Sequence, residues 1–171
     1  MFPKLSILIA LACLLVVSSF AQTREGAYHV MLKGLYTDAV PVIAAEALHQ
    51  KLSKQKAGVV LLDTRTKIEF EVSHLKGSRF VDYDSFSIEQ IQDLPKDASI
   101  VVYCSVGYRS EKIGEKLKNA GYRNVYNLYG GIFEWVNKGF TVYDAKGITS
   151  KVHAYSPAWG VWLAKGEKVY E

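Results

Sequence analysis

Ile100-Val101-Val102-Tyr103-Cys104-Ser105-Val106-Gly107-Tyr108-Arg109-Ser110 is the stretch whose reading decides the architecture. Its first four residues are apolar without alternation, the mark of a strand buried on both faces. The strand runs directly into Cys104. A short loop containing Gly107 follows, and Ser110–Ala120 reads as a helix with Ile113, Leu117 and Ala120 on one face and Gly121 as its stop.

The same alternation extends in both directions. Upstream, Ala27–Leu35 has a weak helical pattern and Val40-Pro41-Val42 reads as an edge strand, because proline cannot donate to a central ladder. Ile43–Lys56 reads as a helix with a lysine-rich end, stopped by Gly58. Val59–Leu62 is a second buried strand, Lys67–Val72 a short helix, Arg79–Val81 a strand and Ser87–Asp93 another short helix. Downstream, Val125–Leu128 is a strand, and Gly130-Gly131 opens a helix that runs through Trp135 to Lys138. Strands alternating with helices predict an α/β fold with a central parallel sheet flanked by helices.

Ligands of open parallel sheets sit at the carboxyl ends of the strands, where Cys104 lies. A helix starting just beyond the loop aims its free N–H groups and positive dipole end at that site. Gly107 lets the backbone close around an ion, and Arg109 adds a planar cation suited to an oxyanion. Helix N-termini and nearby cations favour the thiolate form of cysteine. The loop therefore predicts nucleophilic attack by Cys104 on an anion that carries an electrophilic centre. His29, His49, His74 and His153 all lie far away in sequence, so nothing local supports a Cys–His pair.

The rest of the composition narrows the classes. The chain has 171 residues, 49% hydrophobic and 22% charged, as an ordinary globular domain has. Its formal charge of +4 comes from scattered residues, and no basic tract dense enough to follow a phosphate backbone is present, so nucleic acid is not an expected partner. Two cysteines exclude a disulfide scaffold and a four-cysteine zinc site. No metal and no cofactor is expected.

Met1–Lys4 is a short positive start, Leu5–Val17 an uninterrupted apolar run, and Ser19-Phe20-Ala21 has the form of a signal-peptidase site. The reading is an export signal over residues 1–21, which places the mature protein in a periplasm or outside the cell. The run is short for a membrane span, and no membrane contact is expected after cleavage. Cleavage would remove Cys13 and leave Cys104 as the single thiol. The remaining chain divides into an extension over 22–39, a domain over 40–143 and an aromatic tail over 144–171.

The loop resembles the C-x-x-G-x-R-S loop of rhodanese-like sulfurtransferases. Leu62-Asp63-Thr64-Arg65 resembles that family's D-x-R strand end. Glu69-Phe70 with His74-Leu75-Lys76-Gly77-Ser78 is similar to its E-(Y/F)…G-H-I-x-G-A segment, with Ser73 in place of a glycine. Gly121-Tyr122, Val125, Leu128, Gly130-Gly131-Ile132 and Trp135 resemble its ending, so the likeness runs from about Val40 to Val142. It implies a rhodanese-like α/β domain. Cys104 would take a sulfane sulfur from a small anionic donor such as thiosulfate, hold it as a persulfide, and pass it to a thiol or cyanide. Ser105, Val106, Gly107, Tyr108 and Arg109 would cradle the sulfur or the donor's oxyanion through their N–H groups. Ser110 would add a hydroxyl or N–H at the helix start.

Relatives that cleave phosphate esters use C-x5-R. Here the arginine is five places after the cysteine and Ser110 holds the sixth, which makes the cradle one residue shorter and better suited to sulfur. Ser105 stands where many family loops carry a basic residue, and Val106 and Tyr108 add apolar bulk at the rim, so a donor other than thiosulfate is left open. Asp63, Arg65, Glu69 and His74 are read as structural: a turn cap, an ion pair and a loop-pinning hydrogen bond. With one thiol, the persulfide has only outside acceptors. The tail, with Tyr155, Trp159, Val161 and Trp162, is read as a flap packed on the domain. The sharper reading makes it a docking surface for a protein partner or an element of the substrate rim. The alternative to an enzyme is a non-catalytic rhodanese module that binds a protein or an anion.

Overall fold

The computed structural model describes residues 23–54 and 58–171. The leader expected over residues 1–21 lies outside the described residues. The chain divides into two compact units, Met1–Leu35 and Tyr36–Glu171. The described part of the first is a helix, α1, over residues 23–35, which begins earlier than the expected Ala27.

The second unit is built on five strands: β1 (Val42–Ile43), β2 (Val59–Asp63), β3 (Arg79–Phe80), β4 (Ser99–Tyr103) and β5 (Asn124–Leu128). They form one sheet in the order β1-β5-β4-β2-β3, and every pairing is parallel. The connections carry α2 (Ala45–Ser53), α3 (Lys67–Val72), a 3₁₀ turn (Ile88–Ile91), α4 (Tyr108–Asn119) and α5 (Gly131–Asn137). This is the expected α/β architecture with a central parallel sheet. Strand β4 is central because both of its faces are apolar. Ile100 and Val102 join Ile113 and Leu117 of α4 in the main core, while Val101 and Tyr103 are buried as well.

Element ends differ from expectation where backbone chemistry intervenes. The edge strand begins at Val42 rather than Val40; Pro41 has no N–H to give and serves only as acceptor, its carbonyl taking the Asn127 amide at 2.9 Å. Helix α4 begins at Tyr108 rather than Ser110, because Gly107 adopts φ +103° and turns the chain straight into the helix. Tyr108 and Arg109 therefore belong to the first helical turn and not to the loop.

The tail is more regular than its sequence pattern indicates. β6 (Val142–Asp144) and β7 (Gly147–Thr149) form an antiparallel hairpin. β8 (Lys151–His153) pairs in parallel with β9 (Glu167–Val169), and a one-turn helix, α6 (Pro157–Gly160), lies between them. Three-residue strands are too short for apolar alternation to register. The tail returns onto the domain: β8 packs against α3, Val152, Ala154 and Leu163 are fully buried, and the Asn137 side chain bonds the Trp162 carbonyl and the Ala164 amide. Among the described residues, no helix is long and apolar enough to cross a membrane.

Candidate functional site

Four consecutive carbonyls of the loop that starts at the thiol, those of residues 104–107, are each held by a partner outside the loop. The Cys104 and Ser105 carbonyls accept the amides of Ile132 and Phe133, at 2.9 and 3.1 Å, from the first turn of α5. The Val106 carbonyl accepts the Tyr36 hydroxyl at 2.7 Å. The Gly107 carbonyl accepts Asn127 Nδ2 at 2.9 Å and the Glu111 amide at 3.1 Å. Rotating a peptide to satisfy its carbonyl on one side turns its N–H to the other. With its carbonyl neighbours captured on the other side, the Gly107 N–H meets Cys104 Sγ at 3.1 Å. The N-terminal turn of α4 adds amides that have no intrahelical acceptor. The geometry is an anion cradle with a sulfur atom at its base.

Two glycines make this closure possible. A Cβ on Gly131 would overlap the Cys104 and Ser105 carbonyls, so α5 could not approach the loop as it does. A Cβ on Gly107 would overlap the Tyr36 hydroxyl, and φ +103° disfavours a side chain there in any case.

Arg109 takes a different position from the one expected. Its guanidinium does not stand free for an oxyanion; it forms a two-pronged pair with Glu69, at 2.7 and 2.8 Å, and also donates to Ser105 Oγ at 3.1 Å. Ser105 Oγ in turn donates to Glu69 Oε1 at 2.9 Å. Burial alone would lower the Arg109 pKa, but the bond to Glu69 and the charge of the Cys104 sulfur outweigh it and raise the pKa. Burial likewise pushes Glu69 up, yet the bonds and charge of Arg109, together with the Thr66 amide, hold its carboxyl at about 2. The positive field at the sulfur therefore comes mainly from backbone dipoles, because the one arginine beside it is neutralised. The sequence points to an arginine available for substrate; a buried carboxylate at hydrogen-bond distance is the physical reason it is occupied.

The remaining expected residues separate into groups. Cys104 is 1% exposed, so the thiol lies at the bottom of the loop. Val106 is buried rather than at the rim, whereas Tyr108 is 43% exposed and does stand there. The Ser110 hydroxyl does not face the sulfur: it is fully buried and donates to Asn127 Oδ1 at 2.7 Å. Only its N–H remains for the cradle. Asp63 and Arg65 form a fully buried ion pair at 2.7 Å, with Arg65 Nη2 also donating to the Ser73 carbonyl at 2.5 Å. The pair was read as structural and is placed so. His74 Nδ1 lies 3.0 Å from the Phe70 carbonyl, the expected loop pin.

Of four further residues of the site, Tyr36 and Asn127 escaped the sequence reading, whereas Glu69 was expected as a structural residue and Tyr155 as part of the tail. Tyr36 bridges the loop and α5, donating to Val106 and accepting the Gly130 amide at 2.9 Å. It is held there because the Glu111 carboxylate takes the amides of Thr37 and Ala39; no local pattern signals this. Asn127 had a signal, a polar residue at a core position between apolar neighbours in β5. Glu69 had another: Thr66-Lys67-Ile68-Glu69 is a capping box, which the helix uses. The fourth, Tyr155, comes from the tail. Its ring lies 5.2 Å from the Arg109 guanidinium carbon.

Comparison with known proteins agrees with this fold. The family model described as Rhodanese-like domain matches residues 44–138. A curated tRNA uridine(34) hydroxylase of Photorhabdus laumondii is 34% identical over 102 residues, covering 56% of this chain and 28% of that protein. The Rickettsia typhi protein of the same name is 31% identical over 124 residues, covering 63% of this chain and 49% of that one. This chain therefore spans between about a quarter and a half of those relatives. Among solved structures, the BH2092 protein of Bacillus halodurans superposes with a TM-score of 0.57 at 22% identity, over 72% of this chain and 87% of that one. A thiosulfate sulfurtransferase of Pseudomonas aeruginosa superposes with a TM-score of 0.55 at 24% identity, over 61% of this chain and 20% of that one. These likenesses establish the shared fold.

Proposed function

From a chain that belongs to the Rhodanese-like domain family, we propose a sulfurtransferase in which Cys104 carries the sulfur. The thiolate of Cys104 attacks the outer sulfur of a sulfane donor. The donor's S–S bond breaks, its electron pair leaves with the departing sulfite or thiolate, and Cys104 holds a persulfide. A thiol or cyanide then attacks the terminal sulfur and returns the Cys104 thiolate. With residues 1–21 removed as an export signal, Cys104 is the single thiol and the acceptor comes from outside.

The observation that supports this reading most is the Gly107 N–H on Cys104 Sγ at 3.1 Å, inside a loop whose carbonyls are all engaged elsewhere. Such a cradle stabilises a sulfur anion and, one bond further out, the terminal sulfur of a persulfide. The neutralised Arg109 and the serine at 105 leave little net positive charge for a dianion. A donor with a single charge, such as a low-molecular-weight persulfide, therefore fits the charge balance better than thiosulfate. The tRNA chemistry named for the curated relatives belongs to proteins of which this chain spans only part. Here the reading stays with small sulfur carriers. Export through residues 1–21 belongs to the same proposal.

The test is to incubate the protein with thiosulfate or with a small alkyl persulfide, remove the donor, and weigh it. One added sulfur on Cys104 is expected, and none on Cys104→Ser. A wild-type protein that gains no sulfur from either donor would support the non-catalytic module instead.

A further inference from the structure

Tyr155 is a tyrosine in the left-handed region, with φ +64°. An L side chain is disfavoured there, and such backbone persists only where its surroundings over-determine it. The fixing contact is at hand. The Tyr155 N–H donates to His153 Nδ1 at 3.1 Å, which places the ring proton of neutral His153 on Nε2. His153 is itself buried, at the end of β8 where it packs on α3, the helix that carries Glu69.

The strained residue does not use its side chain for packing. Tyr155 is 51% exposed, yet its ring lies 5.2 Å from the Arg109 guanidinium carbon. Arg109 is held on its edge by the two oxygens of Glu69 and is only 15% exposed. Edge and face together leave the guanidinium one orientation, and the Cys104 sulfur is among the groups that act on it. Residues 151–155 lie beyond the segment that the family model matches, 44–138.

We propose that Tyr155 is a positioning residue: its strained backbone presents the ring to the face of Arg109, keeps the guanidinium on Glu69 and Ser105, and thereby keeps that charge neutralised, so that an anionic reagent at Cys104 meets backbone dipoles and not a released guanidinium. The inference rests on the sulfur-transfer reading for its biological meaning, but it concerns a field that a simpler probe can read.

The probe is the ratio of Cys104 alkylation rates by iodoacetate, an anion, and iodoacetamide, its neutral counterpart, in the intact protein. Two variants separate position from stability. Tyr155→Asn tolerates the left-handed backbone and removes the ring; Tyr155→Phe keeps both the strain and the ring. We expect Tyr155→Asn to loosen the guanidinium from Glu69 and raise the anion-to-neutral ratio about two- to five-fold, the range of an exposed cation–π contact, without a fall in melting temperature. Tyr155→Phe keeps the wild-type ratio. A ratio that does not rise in Tyr155→Asn, or that rises equally in Tyr155→Phe, overturns the proposal, as does a Cys104 that neither reagent modifies in the native protein. Sulfur loading is measured alongside. If the wild-type thiol is alkylated but accepts no sulfur, the sulfurtransferase reading fails, and the ratio still decides the role of Tyr155.

Discussion

The Tyr36 hydroxyl donates to the carbonyl of Val106, 70 residues further along the chain, at 2.7 Å, and accepts the Gly130 amide at 2.9 Å. One phenol therefore joins the cysteine loop to the entrance of α5. Burial raises its pKa, so the hydroxyl keeps its proton and remains a donor at every pH of use. Tyr36→Phe strands a carbonyl and an amide in a part-buried place, at about 1–3 kcal/mol. Equilibrium denaturation should show that loss, and sulfur loading of Cys104 should slow with it.

Gly107→Ala meets two obstacles, the left-handed φ and the Tyr36 hydroxyl. Backbone strain of this kind costs on the order of 1–3 kcal/mol. Combining Gly107→Ala with Tyr36→Ala removes the overlap but not the strain. The double variant should be more stable than the sum of the single losses predicts, a coupling that a double-mutant cycle measures.

Glu69 makes stability depend on acid. Its carboxyl sits at about 2 in the folded protein against 4.5 for a free one. A depressed folded pKa contributes stability that is fully present above about 4.5 and disappears as pH falls towards 2. The contribution is on the order of 3 kcal/mol. Glu69→Gln should unfold more easily at pH 7 and lose less on acidification than the wild type, as urea titrations across that window would show. An unchanged acid limb would contradict the assignment.

Asp63 and Arg65 are a fully buried ion pair. Among the described residues Arg65 Nη1 has no hydrogen-bond partner, and Asp63 is the carboxylate that its other nitrogens contact. Asp63→Asn leaves a buried guanidinium without its anion and should cost about 3–5 kcal/mol. A melting temperature within a degree or two of wild type would show that solvent or another group takes over.

The architecture was readable because it depends on local pattern. Val59–Leu62 and Ile100–Tyr103 are continuous apolar runs, which fit strands covered on both faces, and their alternation with helical segments points to a parallel sheet. The place of Cys104 follows from that sheet, since a residue at the carboxyl end of a central strand, ahead of a helix, faces helix-terminal amides wherever the rest of the chain goes. The extent of α4 was less legible, because Gly107 reads equally as a loop residue or as a helix cap until its φ is known.

What the amino-acid order determined alone was the α/β sheet, the cysteine at the end of its middle strand and the glycine-bearing turn beside it, because apolar periodicity and backbone permissiveness act over a few residues. Only the folded chain decided how the charges are shared. Arg109 was legible as a cation, but its neutralisation depends on Glu69, 40 residues away, and its fixed face on Tyr155, from a tail of three-residue strands. Electrostatic pairing is decided by distances of a few ångströms between residues remote in sequence, and linear order holds no record of those distances.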